Sequence, residues 1–222
     1  MKVIVFGATG MVGQGVLREC LLDPEVTTVL AVGRTPTGQH HEKLREVKHQ
    51  DFTDFAPIED EFRGYDACFF CLGVSSAGMG EAAYRRVTYD FAMAAATTMV
   101  RVSPEMTFVY VSGAGTDSSE QGRVMWARVK GKTENDLLAL PLRTYMMRPG
   151  VILPRHGIRS KTRFIAAIYT LTTPLYPLLR RLPKFVTTTP EVGQAMLVLA
   201  KRGADKSVLE SRDIKALAPA AE

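Results

Sequence analysis

Three glycines near the amino terminus have the spacing of a phosphate-binding loop. Gly7, Gly10 and Gly13 follow the apolar run Lys2–Phe6 and open a segment with helical periodicity. In a strand–turn–helix context, such glycines permit a tight turn, let a pyrophosphate approach the backbone, and allow the helix to pack closely on the strand. The N–H groups at the start of the helix would then face the phosphates. The pattern predicts a dinucleotide site.

A second group with chemical potential lies in the segment RVMWARVKGK, where Trp126 precedes Lys130 by four residues. This spacing places both side chains on one face of a helix, one turn apart. Tryptophan donates an N–H hydrogen bond but has no accessible ionisation, so it cannot carry a proton. Lys130 is therefore the ionisable member of the pair.

The kind of dinucleotide is indicated by the end of the second apolar run, LAVGRTP. A preference for NAD normally places an acidic residue there, but this sequence has Gly33 and Arg34. An arginine can pair with a 2′-phosphate, so NADP is expected and NAD is the less favoured alternative. An exposed loop arginine would be the other interpretation. Asp51 stands where its carboxylate could accept a hydrogen bond from the adenine amino group. Leu72 and Gly73 directly follow the fourth apolar run, Ala67–Cys71, where they would let the backbone lie close to the cofactor.

Short apolar runs alternate with longer helical patterns, which is typical of a Rossmann-type, doubly wound parallel α/β sheet. The predicted strands are Lys2–Phe6, Thr28–Val32, Glu46–Gln50, Ala67–Cys71, Thr107–Ser112 and Arg143–Met147. The predicted helices are Met11–Leu22, Phe55–Phe62, Glu81–Val100, Arg123–Leu140 and 190–203, followed by a short strand or cap within 207–214. We expect one domain over residues 1–222, in which 151–190 form a small, variable helical segment for a substrate or partner.

Composition and charge narrow the class of protein. The chain has 222 residues, 46% hydrophobic and 23% charged, with a net charge of +5. Three cysteines without framework spacing indicate a reducing compartment, and no signal peptide is recognisable, so a cytoplasmic protein is expected. The four histidines form no metal-ligand pattern, and neither a nucleic-acid motif nor a hydrolase triad is present, so those functions are not expected.

The basic residues are concentrated in one part of the chain. Residues 137–190 contain no aspartate or glutamate but nine arginines and lysines. This asymmetry suggests an anionic partner, such as a phosphorylated cofactor, an anionic substrate or a membrane surface, or else a solvated basic face. Within it, the uncharged stretch Phe164–Leu179 could form a substrate-site helix, a subunit contact or an interfacial membrane segment.

The motifs GATGMVG, CLG, YRRVTYD, VSGAG, WARVKGK and RPGVILP occur in an order that resembles the short-chain dehydrogenase/reductase superfamily in its atypical and extended branches. More narrowly, the chain resembles the small epimerase-like proteins related to the Tat-interacting oxidoreductase-like protein. The resemblance implies a cofactor over the carboxyl edge of the sheet. The implied cofactor contacts are Gly7, Thr9, Gly10, Met11, Val12, Gly13, Arg34, Asp51, Phe52, Leu72, Gly73, Lys130, Arg148 and Pro149.

The resemblance also implies a catalytic group, Tyr-x-x-x-Lys with a serine. Lys130 matches the lysine that binds the nicotinamide ribose, Trp126 occupies the tyrosine position, and the serine position falls on Ser112 or Gly113. Ser112 would polarise a substrate carbonyl and Trp126 would line the pocket. Two functions follow as hypotheses: an NADP-binding oxidoreductase or epimerase/dehydratase-like protein acting on a small molecule, or a nucleotide-sensing regulator or scaffold with little turnover. A monomer or homodimer is expected.

Overall fold

A computed structural model describes residues 1–158 and 185–218. Its central feature is a seven-stranded parallel sheet. The strands are β1 (Lys2–Phe6), β2 (Thr28–Gly33), β3 (Leu44–Lys48), β4 (Ala67–Phe70), β5 (Thr107–Val111), β6 (Arg143–Arg148) and β9 (Val208–Glu210). Their order in the sheet is β3-β2-β1-β4-β5-β6-β9. Two further strands, β7 (Val151–Leu153) and β8 (Val186–Thr188), form a separate parallel pair.

Helices cover both faces of the sheet, which confirms the doubly wound arrangement. They are α1 (Met11–Leu22), α2 (Glu81–Arg85), α3 (Phe91–Val102), α4 (Met125–Leu138), α5 (Thr189–Arg202) and α6 (Ser211–Leu217). Helices α1 and α5 contribute to the core on one face, whereas α3 and α4 contribute to the core on the other. Strand β1 explains why both cores form, because Val3 and Val5 enter the first while Ile4 and Phe6 enter the second.

Most predicted elements agree with the structure, and α1 has the predicted bounds. The third strand begins two residues earlier than predicted, because Leu44 pairs in register with Val29 and packs against the first core. The predicted helix Phe55–Phe62 is a 3₁₀ helix, Ala56–Phe62. The long predicted helix Glu81–Val100 is interrupted by a π-helical turn, Arg86–Asp90, between α2 and α3.

The carboxyl-terminal elements reach back to the end of β6. Strand β9 pairs with β6, with Arg148 opposite Glu210, and the Gly150 N–H donates to Ser211 Oγ over 2.8 Å. Most of the predicted variable segment, including Phe164–Leu179, lies outside the described residues. Among the helices that the structure describes, none combines the length and the apolar character needed to cross a bilayer.

Candidate functional site

The glycine loop is held in place by close backbone contacts. Gly7 has a φ of +77°, which favours glycine, and the Gly10 N–H donates to the Gly7 carbonyl over 2.9 Å. A Cβ added at Gly13 would lie 2.6 Å from the Gly7 carbonyl carbon and closer still to its oxygen. Gly13 therefore lets α1 rest directly on the loop, as the sequence predicted.

The start of α1 is open to an anion. Gly10 is its N-cap residue, no side chain caps the helix, and no acidic residue occupies the first turn. The free N–H groups of the first turn carry a partial positive charge that a phosphate would satisfy. This end of α1 fits the pyrophosphate of a dinucleotide.

A cavity of about 580 Å³ lies on one side of the loop, beside β2 and β3; we call it the β2 cavity. Its lining includes Thr9 of the loop, Phe52, and the charged residues Arg34, Lys48 and Glu46. Glu46 accepts a hydrogen bond from the Thr37 N–H at 2.7 Å. The two cations have no ion-pair partner within residues 1–158 and 185–218, so they are available to an anionic group.

Asp51 lies close to this cavity but is not among the residues that line it. Its Oδ1 accepts from the Thr53 hydroxyl at 2.5 Å and from the Thr53 N–H at 2.9 Å, and these bonds lower the pKa of the Asp51 carboxyl. An adenine contact would therefore have to use the remaining carboxylate oxygen. That role stays a prediction.

A second cavity, of about 740 Å³, lies on the other side of the loop beside α4; we call it the α4 cavity. The predicted site residues that line it are Gly10, Met11, Val12, Leu72, Gly73, Ser112, Trp126, Lys130 and Pro149. Leu72 borders both cavities, whereas residues 7–9 of the loop line the β2 cavity and residues 10–12 line the α4 cavity. Together the two cavities flank the loop at the carboxyl ends of the strands, where open α/β sheets bind ligands.

Lys130 points from α4 to the end of β5. Its Nζ donates a hydrogen bond to the Ser112 carbonyl oxygen. Burial lowers the pKa of the Lys130 ammonium group to about 8, although the charge of Glu134 acts in the opposite direction. At neutral pH the group is therefore close to its titration range.

Glu134 is a buried residue that the sequence interpretation missed. It lies one helical turn after Lys130, is 1% exposed at its side chain, and accepts from Ser112 Oγ and from the Arg148 guanidinium. Arg148 Nη2 also donates to Ser118 Oγ over 2.5 Å. The i, i+4 spacing from Lys130 was a visible signal, but an acidic residue on a polar helix gives no indication of burial by itself.

These contacts affect two predicted roles. The single proton of the Ser112 hydroxyl has two acceptors already, Glu134 and the Met147 carbonyl at 3.1 Å, so donation to a substrate would require it to leave them. Arg148 is held by Glu134 and is not among the residues that line the α4 cavity. Both roles stay predictions.

Gly113, the other position that the resemblance allows for the family serine, also lies beside Lys130. A Cβ at Gly113 would lie 3.6 Å from Lys130 Nζ and 3.9 Å from the Pro149 carbonyl oxygen. A side chain at this position would thus point at the lysine. The Ser112 hydroxyl donates to Glu134, whereas a side chain at position 113 would face the Lys130 ammonium group.

The basic stretch of residues 137–190 is only partly described. Arg143 donates to Thr107 Oγ1 and to the Ala200 carbonyl, and Arg148 is paired with Glu134. Both arginines thus make contacts within the folded chain. The other basic residues of the stretch, apart from Arg155, lie between residues 159 and 184, outside the described part of the chain.

The parallel sheet and the glycine loop at the start of α1 define a Rossmann-type protein with a dinucleotide-binding loop. In agreement, residues 2–112 match the family described as "Semialdehyde dehydrogenase, NAD binding domain". The protein FMP52-2, mitochondrial, of Scheffersomyces stipitis is 31% identical over 164 residues, which cover 72% of this chain and 69% of that protein. HTATIP2 of Rattus norvegicus is 28% identical over 156 residues, 68% of this chain and 63% of that protein.

The solved structures show the same fold. WbmF of Bordetella bronchiseptica, in complex with NAD⁺, has a TM-score of 0.68 at 15% identity and covers 97% of this chain and 76% of its own. The chain belongs to the family that this NAD-binding domain model describes and is related to the FMP52 proteins, and its fold is that of the short-chain dehydrogenases.

The expectation of a cytoplasmic protein is wrong. The FMP52 relatives carry the word mitochondrial in their names, which points away from a purely cytoplasmic location. Free cysteines indicate a reducing environment but do not say which compartment provides it.

Proposed function

We propose that this chain binds NADPH across the glycine loop and uses it to reduce an apolar carbonyl compound. The observation that carries the proposal is the distribution of charge along the two cavities. Among the residues that the structure describes, two cations without an ion-pair partner border the β2 cavity, whereas Lys130 is the one cation in the mainly apolar lining of the α4 cavity. A dinucleotide laid across the loop would place its 2′-phosphate near the first group and its nicotinamide near the second.

The preference for NADPH over NADH rests on Arg34 and Lys48. Both border the β2 cavity without an ion-pair partner among the described residues, and a 2′-phosphate would supply one. Glu46 carries the opposite charge at the same cavity. It is held by the Thr37 N–H, and the two cations leave a net positive charge.

The substrate class follows from the α4 cavity. Its outer lining includes Val74, Trp126, Val151, Ile152 and Phe185. Phe185 is 63% exposed, Val151 45% and Val74 44%, so together these side chains present an apolar surface at the cavity. An aromatic or alkyl aldehyde or ketone would bury this surface.

The cofactor proposal is tested by titration, since Trp126 is the only tryptophan and borders the α4 cavity. NADPH should quench its fluorescence and raise the melting temperature, and NADH should bind more weakly. In Arg34→Ala, loss of a charge-assisted pair should weaken NADPH binding by roughly tenfold, or about 1.4 kcal/mol, and leave NADH binding unchanged. Equal affinities for both cofactors would refute the Arg34 argument, and no binding of either would refute the proposed function.

A second candidate function is favoured by two observations at α4. Trp126 stands where the superfamily has its proton-donating tyrosine, and the Ser112 hydroxyl is held by Glu134. A protein of this kind would bind the nucleotide and act as a sensor or scaffold without turnover. Loss of acid–base assistance costs roughly 10²–10⁴ in rate.

Turnover discriminates between the two candidates. NADPH oxidation should be followed with 4-nitrobenzaldehyde and a panel of ketones in the wild type, in Lys130→Ala and in the double variant Gly113→Ser/Trp126→Tyr. Wild-type turnover above that of Lys130→Ala supports the reductase. Activity that arises only in the double variant, which restores the family's serine and tyrosine beside Lys130, supports the sensor.

Several expectations about partners also remain proposals. They are a small-molecule substrate or anionic ligand, no nucleic acid, peripheral membrane contact, and a monomeric or homodimeric state. Co-sedimentation with anionic liposomes and light scattering of the purified protein would test the last two.

A further inference from the structure

A reductase of this superfamily needs a proton donor at the substrate oxygen, and the α4 cavity offers few. Its titratable lining residues, within the part of the chain that the structure describes, are Cys71 and Lys130. Burial raises the pKa of the Cys71 thiol to about 12, so this group holds its proton at neutral pH. Lys130 is the other candidate.

The described tyrosines lie elsewhere. Tyr84 and Tyr110 are buried in the protein, and the Tyr145 hydroxyl accepts from the Ala204 N–H at 3.1 Å on the far side of the sheet. Tyr89 donates to Asp136 on the outer side of α4, and Tyr65 packs in the second core. None of these five lines the α4 cavity. Tyr169 and Tyr176 lie outside the described residues.

The surroundings of Lys130 suit a proton donor. Its Nζ is anchored to the Ser112 carbonyl, so the ammonium group has a fixed position at the cavity wall. The charged group that faces it on its own helix is Glu134, which is itself paired with Arg148 on β6. Because burial disfavours the charge more strongly than Glu134 favours it, the pKa of the Lys130 ammonium group is lowered from 10.5 to about 8.

From this geometry we infer that Lys130 supplies the proton that the family tyrosine would give, and that Glu134 is a positioning residue for it. The inference rests on the proposed reductase function and goes beyond it. The hydride and its two electrons, which go to the carbonyl carbon, would come from the reduced nicotinamide when the cofactor is bound. At the substrate oxygen, an Nζ–H bond of Lys130 breaks as an O–H bond forms. The neutral amine then takes a proton from solvent.

Two variants separate this role from a purely structural one. Lys130→Arg keeps a cation at the site but does not titrate in the accessible range. Glu134→Gln keeps the size of the side chain and removes its charge, which should lower the pKa of Lys130 further.

The first measurement is independent of turnover. Carbon-13 NMR of ε-labelled lysine, assigned with Lys130→Arg, should show one lysine that titrates near pH 8 in the wild type and lower in Glu134→Gln. The difference in melting temperature between the wild type and Lys130→Met should shift in favour of the wild type between pH 8 and 10.5, because Lys130 binds fewer protons in the folded state than in the unfolded state there. Titration of Lys130 at its ordinary value would overturn the inference.

The second measurement uses NADPH and 4-nitrobenzaldehyde. The kcat should fall tenfold per pH unit above about pH 8 in the wild type, and this fall should begin at lower pH in Glu134→Gln. Lys130→Arg should lose at least tenfold in kcat at pH 7 and lose the pH dependence. If Lys130→Arg keeps the wild-type profile, or if Tyr169→Phe/Tyr176→Phe abolishes it, the inference fails while the reductase function stands. Failure to bind NADPH would overturn the proposed function itself.

Discussion

Replacement of Gly13 by alanine tests the reasoning about the glycine loop directly. The added Cβ would lie 2.6 Å from the Gly7 carbonyl carbon and 3.0 Å from the Ala8 Cα, both backbone atoms. Backbone cannot rotate away as a flexible side chain does, so α1 and the loop must separate by roughly 1 Å. Overpacking of this kind costs about 1–3 kcal/mol. For a chain of this length, that corresponds to a fall in melting temperature of about 2–12 °C.

The same displacement should weaken the cofactor. Moving the loop away from the start of α1 would cost at least one charge-assisted hydrogen bond to the pyrophosphate, about 1.5–3 kcal/mol. The Kd for NADPH should therefore rise roughly 10- to 100-fold. Thermal unfolding and Trp126 fluorescence titration measure the two effects separately.

Two matched controls keep the result interpretable. Gly15→Ala would clash with Thr189 Cβ at 2.5 Å, where α1 meets α5, so it should destabilise the fold but leave the affinity of the folded protein unchanged. Gly10→Ala meets only the Gly7 oxygen at 3.3 Å and should lower stability little while hindering the phosphates. If Gly13→Ala melts and binds NADPH as the wild type does, close loop–helix packing is not required and the reasoning is refuted.

Two further predictions concern charged groups around α4. Removing the carboxylate in Glu134→Ala leaves the 13%-exposed Arg148 with its hydrogen bond to Ser118 Oγ and, among the described residues, with Glu210 at 3.6 Å as its one ion-pair partner. The change should cost about 3 kcal/mol, the low end for a broken buried pair, and urea unfolding would measure it. A loss no larger than that of Glu210→Ala, where the partner is 51% exposed, would show that the pair contributes little. Hydrogen bonds from the Ser119 hydroxyl and the Gly122 N–H lower the pKa of the Asp117 carboxyl in the folded protein. The ionised carboxylate therefore stabilises the fold at pH values above its ordinary pKa of 3.8, and this stabilisation is lost as the pH falls through the lower pKa of the folded state. The difference in melting temperature between wild type and Asp117→Asn should accordingly be largest near pH 6 and shrink below pH 3.8, whereas a constant difference would contradict this account.

The fold was largely predictable because its signals are local. The β1 run, the glycine loop and α1 each have a pattern that can be read within a few residues, and α1 has the predicted bounds. The edge strand β3 was predicted two residues too late, because its burial pattern is mixed and only its pairing with β2 fixes its position.

The charged group behind Lys130 could not be predicted, because it depends on contacts between distant parts of the chain. Glu134 looks like a solvated helix residue until β6 brings Arg148 against it, and the lowered pKa of Lys130 depends on burial that no spacing reveals. The occupied hydroxyl of Ser112 has the same origin. Local patterns place residues on elements, whereas the protonation state of a site is set by the elements packed around it.

The position of β9 has a consequence for biosynthesis. Arg148 meets Glu210 there, and the Gly150 N–H meets Ser211. Gly7 of the dinucleotide loop packs against the Cys71 backbone, and α1 packs against Thr189 at Gly15. The loop and the Lys130–Glu134–Arg148 group therefore both gain their last supports from the carboxyl-terminal elements, and a nascent chain completes neither part of the site until those elements have left the ribosome.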